Sequence, residues 1–354
     1  MLPRDRMLTA LSGRPPDRVP VALGCFPMSL PHLPDLDPDE YFGTDIRYVT
    51  FEPPKRGEEF LDYLRKLPKH ISMGQLSTLR TYWEWDYHPE RPGAGILEGA
   101  MAIEDLDLAL LQKMAEPSRH VGIAERVRHY QDEGMAVMGM PPHLGGDIFE
   151  TAWRMRGFNQ FLLDFRRNRE LAHYLLNQIT NMLISNALAL VQAGVDILCL
   201  DDDVGDPRSM IISPALWREF LKPLMAKVIE LAREVKPNVL VFYHSDGYIR
   251  NIIPDLIEIG VDVLNPVQAD VMDPGELKGE YGDRIALWGT VGSQTLWAWG
   301  GPRDIEREVK HRVETVGRGG GFVISPAYDI DLQEIPLENI VAFVQAAKEF
   351  GSYG

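Results

Sequence analysis

The run Val241-Phe242-Tyr243-His244-Ser245-Asp246-Gly247 ends a β-type apolar stretch on a histidine, a carboxylate and a glycine. An imidazole and a carboxylate leaving a strand two residues apart can bend towards one ion, and both groups suit zinc; they can equally hold and pass a proton. His244 and Asp246 are therefore the leading catalytic candidates and a candidate metal pair, with a plain hydrogen bond between histidine and carboxylate as the simpler alternative. A second concentration of chemistry follows Leu200, where Asp201, Asp202 and Asp203 stand in succession. Massed carboxylates raise one another's pKa or need a cation to balance them, although each one singly can also cap a helix or tie down a loop. His143 lies in Pro141-Pro142-His143-Leu144-Gly145-Gly146, a proline- and glycine-rich loop where backbone and imidazole can both meet a ligand.

Positioning these groups requires strands that end together. From Ala136 onward the sequence alternates short β-branched or aromatic runs with helices whose apolar residues recur at three- and four-residue spacing. Strand-like runs fall at residues 135–140, 195–200, 239–244, 261–264, 284–288 and 321–324, most of them too continuously apolar for a sheet with one face in water. Residues 18–24, after a helix at 4–11, and residues 45–51 supply two more, making eight. Ser213-Pro214 opens a helical stretch over 215–235 and Asp273-Pro274 another over 275–281, each with a capping side chain before a proline at the first helical position. The predicted fold is α/β, a (β/α)8 TIM barrel with an early hairpin insertion at residues 77–87, and the whole chain, 1–354, reads as one domain.

In such a barrel the residues following each strand meet at one mouth. They are Pro141, Pro142 and His143; Asp201, Asp202 and Asp203; His244 and Asp246; Asn265 and Gln268; Gly289 and Thr290; and Pro326, Tyr328 and Asp329.

The formal charge of −16, from 52 acidic against 36 basic residues, repels phosphate backbones and anionic membranes, so neither nucleic acid nor a membrane surface is an expected partner. Cys25 and Cys199, the two cysteines, sit in or beside apolar segments and read as buried free thiols. With no signal-type or spanning segment, the expected location is cytoplasmic. No phosphate loop, dinucleotide fingerprint or nucleophile elbow occurs, and Gly317-Arg318-Gly319-Gly320-Gly321 enters a strand as a tight turn rather than opening a helix.

Several segments together resemble the uroporphyrinogen decarboxylase superfamily. They include Arg4-Asp5-Arg6-Met7-Leu8, Pro16-Asp17-Arg18-Val19-Pro20, Gly194-Val195-Asp196 with the aspartate cluster, Ile211-Ile212-Ser213-Pro214 and His244-Ser245-Asp246-Gly247. Gly260-Val261-Asp262-Val263-Leu264-Asn265-Pro266-Val267-Gln268 and Pro336-Leu337-Glu338-Asn339-Ile340 extend the resemblance towards the end of the chain. It implies a (β/α)8 barrel, often paired as a homodimer, and either decarboxylation or cobalamin-dependent methyl transfer. Decarboxylases of the family carry arginines in the amino-terminal loop. The matching stretch here, Gly24-Cys25-Phe26-Pro27-Met28-Ser29-Leu30-Pro31-His32, has none, and aspartates repel a polyanion. In the thiol-methylating branch zinc sits on His-x-Cys and a later Cys. Here His244 remains, Asp246 stands at the first cysteine and Tyr328 near the second.

The expectation is thus a corrinoid-linked methyltransferase of the demethylase type, moving a methyl group from a small ether-like donor to a corrinoid protein. His244 and Asp246, with Asp202 or Tyr328, would hold a zinc ion or act as the acid. Asn265 and Gln268 would orient the donor, with His143, Asp201 and Asp203 at its side, and Phe26, Trp83 and Trp288 would wall an apolar pocket. The alternatives are a decarboxylase or lyase acting on a small carboxylated substrate, and a non-catalytic protein that holds a corrinoid or small ligand in the mouth.

Overall fold

The computed structural model of the chain describes residues 1–28, 30–33, 35–51, 95–292, 294–330 and 335–353. The expected hairpin at residues 77–87, with Trp83, lies outside them. Among the described residues seven parallel strands form one sheet in sequence order: β1 (Ile46–Thr50), β2 (Ala136–Met140), β3 (Ile197–Asp201), β4 (Leu240–His244), β5 (Val263–Asn265), β6 (Ala286–Trp288) and β7 (Phe322–Val323). Consecutive strands pair by right of the helical crossovers between them, the arrangement that curls a parallel sheet into a barrel.

Eight strands were expected, and residues 18–24 do not form the first of them. Pro20 has no amide to donate, and the Val21 amide is taken by the Asp45 carboxylate at 2.8 Å instead of a neighbouring strand. The segment nevertheless fills the eighth position. Ile324 N donates to Pro20 O, Ala22 N to Ile324 O and Asp45 N to Val21 O, so residues 20–22 bond both to the chain just after β7 and to the chain just before β1. Arg6 and Arg18 both reach Asp45, at 2.6 and 2.8 Å, while Arg4 holds Asp196 at 2.8 Å. The charged residues of the amino-terminal motifs thus pin the barrel's seam and its lower rim.

Strand side chains alternate between two cores. Met138, Ile197, Cys199, Phe242, Val263, Ala286, Trp288 and Val323 pack inside the barrel, with Met7 and Leu11 of the helix Pro3–Leu11 beneath them. Val137, Leu198, Leu200, Val241, Tyr243, Leu264 and Leu287 face outward onto the helices. Capping follows the sequence signals: Ser213 accepts from Leu216 N and Asp273 from Glu276 N. The stretch expected as one helix after Ser213 is two, Pro214–Phe220 and Lys222–Val235, because Pro223 cannot continue the hydrogen-bond ladder of the first. Among the described residues no helix is long and apolar enough to cross a membrane. Both cysteines are buried and free.

Candidate active site

The inward phase of the strands decides what reaches the mouth. In β3 it runs Ile197, Cys199, Asp201; in β4, Phe242, His244; in β5, Val263, Asn265. The register places Asp201 opposite His244 and His244 opposite Asn265, so an acid, an imidazole and an amide stand side by side at one level, directly above the apolar interior. They open onto a cavity of about 630 Å3 lined by, among others, Phe26, Asp201, Asp203, Asp246, Tyr328 and Asp329.

The His244 ring is oriented from behind. Asn265 Nδ2 donates to Trp288 O at 3.1 Å, which fixes the amide so that its Oδ1 faces His244 Nδ1 at 2.6 Å. Nδ1 therefore carries the proton and Nε2 presents its lone pair, 3.8 Å from Asp203 Oδ1 and 4.0 Å from Asp246 Oδ1. The ring lies 5.0 Å from that of Phe26, and Cys25 Sγ is 3.4 Å from Nδ1. Asp203 accepts the Asp246 amide at 2.6 Å, and Gln268 donates to Asp246 Oδ1 at 2.9 Å while accepting from Gly247 N. Gly247 has φ +79°, and a Cβ there would meet the Gly205 backbone at 2.6 Å, so the loop carrying Asp246 can press against the loop carrying Asp203 only with glycine at this position.

Ligand atoms of Asp201, Asp203 and His244 lie within 4.8 Å of one another, a donor set of two carboxylates and one imidazole that suits zinc. Burial and the neighbouring carboxylates push the Asp201 carboxyl well above its ordinary range. Burial likewise raises Asp246 to about 6 and Glu150 to about 8, the latter helped by Asp203. This crowding of negative charge is what a divalent cation would relieve. His143 Nε2 stands 3.3 Å from Asp201 Oδ2, and burial draws its pKa down to about 4, so the imidazole is neutral; its Nδ1 is buried without a hydrogen-bond partner among the described residues.

The structure thus brings together His244, Asp246, Asp201, Asp203, Asn265, Tyr328 and Phe26 at the cavity, with His143 behind Asp201. Four expected roles change. Asp202 points away from the mouth: its oxygens accept from Phe149 N at 2.7 Å and Glu150 N at 2.9 Å, at the start of the helix Phe149–Arg156. Trp288 is fully buried in the barrel interior, its Nε1 bonded to Gly24 O, and walls no pocket. Gln268 does not line the cavity and instead holds Asp246. The carboxylates that converge with His244 as a metal-type set are Asp201 and Asp203, while Asp246, expected as the metal partner, stands just outside the set.

Sequence reasoning missed Cys25 as a lining residue, Glu150 as a buried neighbour of the aspartates, and Trp297 and Trp299 on the cavity's far side. The tryptophans carried a signal, since an aromatic cluster close behind a strand end is poorly explained by a turn. Tyr328 is tethered by its hydroxyl to Asp270 Oδ2 at 3.2 Å.

Comparison with known proteins bears on the family and the fold. Over 184 residues the chain is 30% identical to the methylcobamide:CoM methyltransferase MtaA of Methanosarcina barkeri, a match covering 52% of this chain and 50% of that protein. It is 27% identical over 182 residues to uroporphyrinogen decarboxylase of Coxiella burnetii, covering 50% and 47%. The chain therefore spans about half the length of these relatives, whereas uroporphyrinogen decarboxylase of Xanthomonas axonopodis matches at 26% identity over 91% of this chain and 90% of its own. A solved methyltransferase from Methanosarcina mazei superposes with a TM-score of 0.63 at 21% identity, covering 99% of both chains, and so shares the fold. Residues 118–350 match the family description "Uroporphyrinogen decarboxylase (URO-D)", and with well over half of its length accounted for, the chain belongs to that family.

Proposed function

We propose that the protein is a methyltransferase of the corrinoid-linked demethylase type, taking a methyl group from a small methylated, ether-like donor and passing it to a corrinoid carried by a partner protein. The observation that carries this reading is the lining of the cavity. It holds four aspartates and His244 and, among the described residues, no lysine or arginine, so it suits neither a tetrapyrrole polyanion nor a carboxylated substrate. The likeness to a methylcobamide methyltransferase supports the same direction.

Asp201, Asp203 and His244 would hold a zinc ion. When bound, that ion would supply Lewis acidity to an oxygen that otherwise leaves poorly. The remaining work belongs to the chain. Asn265 keeps the His244 lone pair facing the cavity, and Gln268 holds Asp246 beside it. With its pKa raised to about 6, Asp246 is mostly ionised at neutral pH yet readily takes up a proton that it could hand to the departing oxygen. The methyl–oxygen bond would break with its electron pair left on oxygen, which takes that proton, and the partner's corrinoid in its Co(I) form, a co-substrate, would supply the electron pair that takes the methyl group. Phe26 and Tyr328 would shield the exchange from water.

A second reading, a decarboxylase or lyase on a small carboxylated substrate, draws on the near full-length likeness to a uroporphyrinogen decarboxylase. The two separate in one experiment: metal content by elemental analysis of the protein and its Asp203→Ala and His244→Ala variants, with methylation of added cob(I)alamin by methyl ethers followed spectroscopically. About one zinc per chain, lost in both variants, together with donor-dependent cobalamin methylation supports the proposal. Metal-free protein that releases carbon dioxide from a small acid without any corrinoid sinks it.

A further inference from the structure

The cavity described above is asymmetric in charge and in surface. Asp201 and Asp203 converge with His244, and a divalent ion there would neutralise those two carboxylates. Asp246 and Asp329 remain; both line the same cavity, and Asp329 is close enough to act on Asp246 electrostatically. No lysine or arginine among the described lining residues offsets them.

Aromatic rings stand beside these carboxylates. Phe26 and Tyr328 line the cavity, and so does Trp299, which is 86% exposed. Its neighbour Trp297 is fully buried, with Nε1 donating to Val291 O at 3.0 Å, and that ring is accounted for by packing. Among the described residues nothing covers Trp299, and its indole presents a ring face to the cavity that a ligand can cover. Ring faces attract cations, carboxylates attract them more strongly, and the two together favour an organic ammonium whose methyl groups also bury apolar surface. A neutral ether would use the rings and leave the carboxylates unanswered; a bare metal ion would do the reverse.

We infer that the ligand of this cavity carries a positive charge, an alkylammonium group seated between Asp246 and Asp329 against the rings of Phe26, Tyr328 and Trp299. The fate of that ligand rests on the methyl-transfer reading, under which it is an ether-like donor that also bears the alkylammonium group, whereas its charge follows from the cavity alone.

Three isosteric probes test the charge: choline, its neutral carbon analogue 3,3-dimethylbutan-1-ol, and the anion 3,3-dimethylbutanoate, each titrated calorimetrically into the full chain. Choline is expected to bind about tenfold more tightly than the neutral analogue, with no binding of the anion. Asp329→Asn, at an exposed position, should weaken choline several-fold while leaving the neutral analogue unchanged, and Trp299→Ala should weaken both probes but choline more, with circular dichroism confirming the fold. Equal binding of choline and the alcohol, tighter binding of the anion, or no detectable binding of choline overturns the inference. Methylation of cob(I)alamin is scored separately. Charge-selective binding without methyl transfer from any donor would defeat the enzymatic reading and leave this one standing, and transfer from neutral ethers without charge selectivity would do the opposite.

Discussion

The two sides of the mouth are built differently. On the β3–β5 side Asp201, His244 and Asn265 stand in strand register, and the loops above them are tied down through Asp203, Gln268 and Gly247. Across the cavity Trp299 and Asp329 lie on an exposed rim, and Tyr328 is fixed by one hydroxyl bond to Asp270. Groups that must keep a reacting geometry gain from placement on strands, whose positions are set by neighbours on both sides. Groups that grip a ligand can sit on mobile connections without loss. Under the proposed function, the first side would carry the chemistry and the second the selection of ligand.

The strongest way to break that division is His244→Ala. Turnover should fall about 10²–10⁴-fold, as for loss of a positioned acid–base or metal-binding imidazole, with the thermal midpoint little changed. A rate near that of the parent protein would remove the chemistry from the strand side. Asp202→Ala acts on the same loop by another route. It deletes acceptors from the start of the helix Phe149–Arg156, so stability should drop by about 1–2 kcal/mol in urea unfolding, a cap-sized loss, with activity falling far less than in His244→Ala.

Glu150→Gln sharpens the electrostatic side of the comparison. The folded-state pKa of Glu150, about 8, lies above its ordinary 4.5, so the native state binds the extra proton between those values. This contribution to stability is complete below pH 4.5 and fades as pH rises through 8. The glutamine variant should therefore lose that downward slope and gain relative to the parent at pH 8; identical pH profiles would contradict the buried-acid picture. The smallest effect belongs to the far side: Trp299→Ala should shift stability by no more than about 0.5 kcal/mol, because the ring is mostly in water, while raising the KM of the donor. A KM unchanged within error would leave that rim without a role.

Much of the scaffold was legible because buried parallel strands write themselves as continuous apolar runs. β2, β4, β6 and β7 fall within the segments expected and β3 and β5 run one residue past theirs, all six starting one or two residues late. The first segment failed because its pairing depends on a carboxylate, Asp45, that no local pattern connects with Val21. At the site, His244 and the aspartate triplet were visible as residue types at a strand end. Which aspartate faces the cavity was not, because that turns on strand phase and on a partner some fifty residues upstream: Asp201 continues the inward alternation, and Asp202 is one residue out of phase and meets a helix start instead. Trp288 was misread for the same reason, being inward and beneath the mouth, while Trp299 was overlooked on its short helix.

The joint at residues 20–22 has a consequence for assembly. Every other neighbouring pair in the ring is joined by the chain that directly follows it, whereas this joint brings Val21 to Ile324, and closing so long a loop is the most entropically expensive contact in the barrel. Gly24, Cys25 and Phe26 come immediately after it and form the wall that rests on His244. A chain that has paired β1 to β7 but has not yet closed would hold the acids and the imidazole in register with one wall missing. The last long-range step of folding is therefore also the step that completes the site.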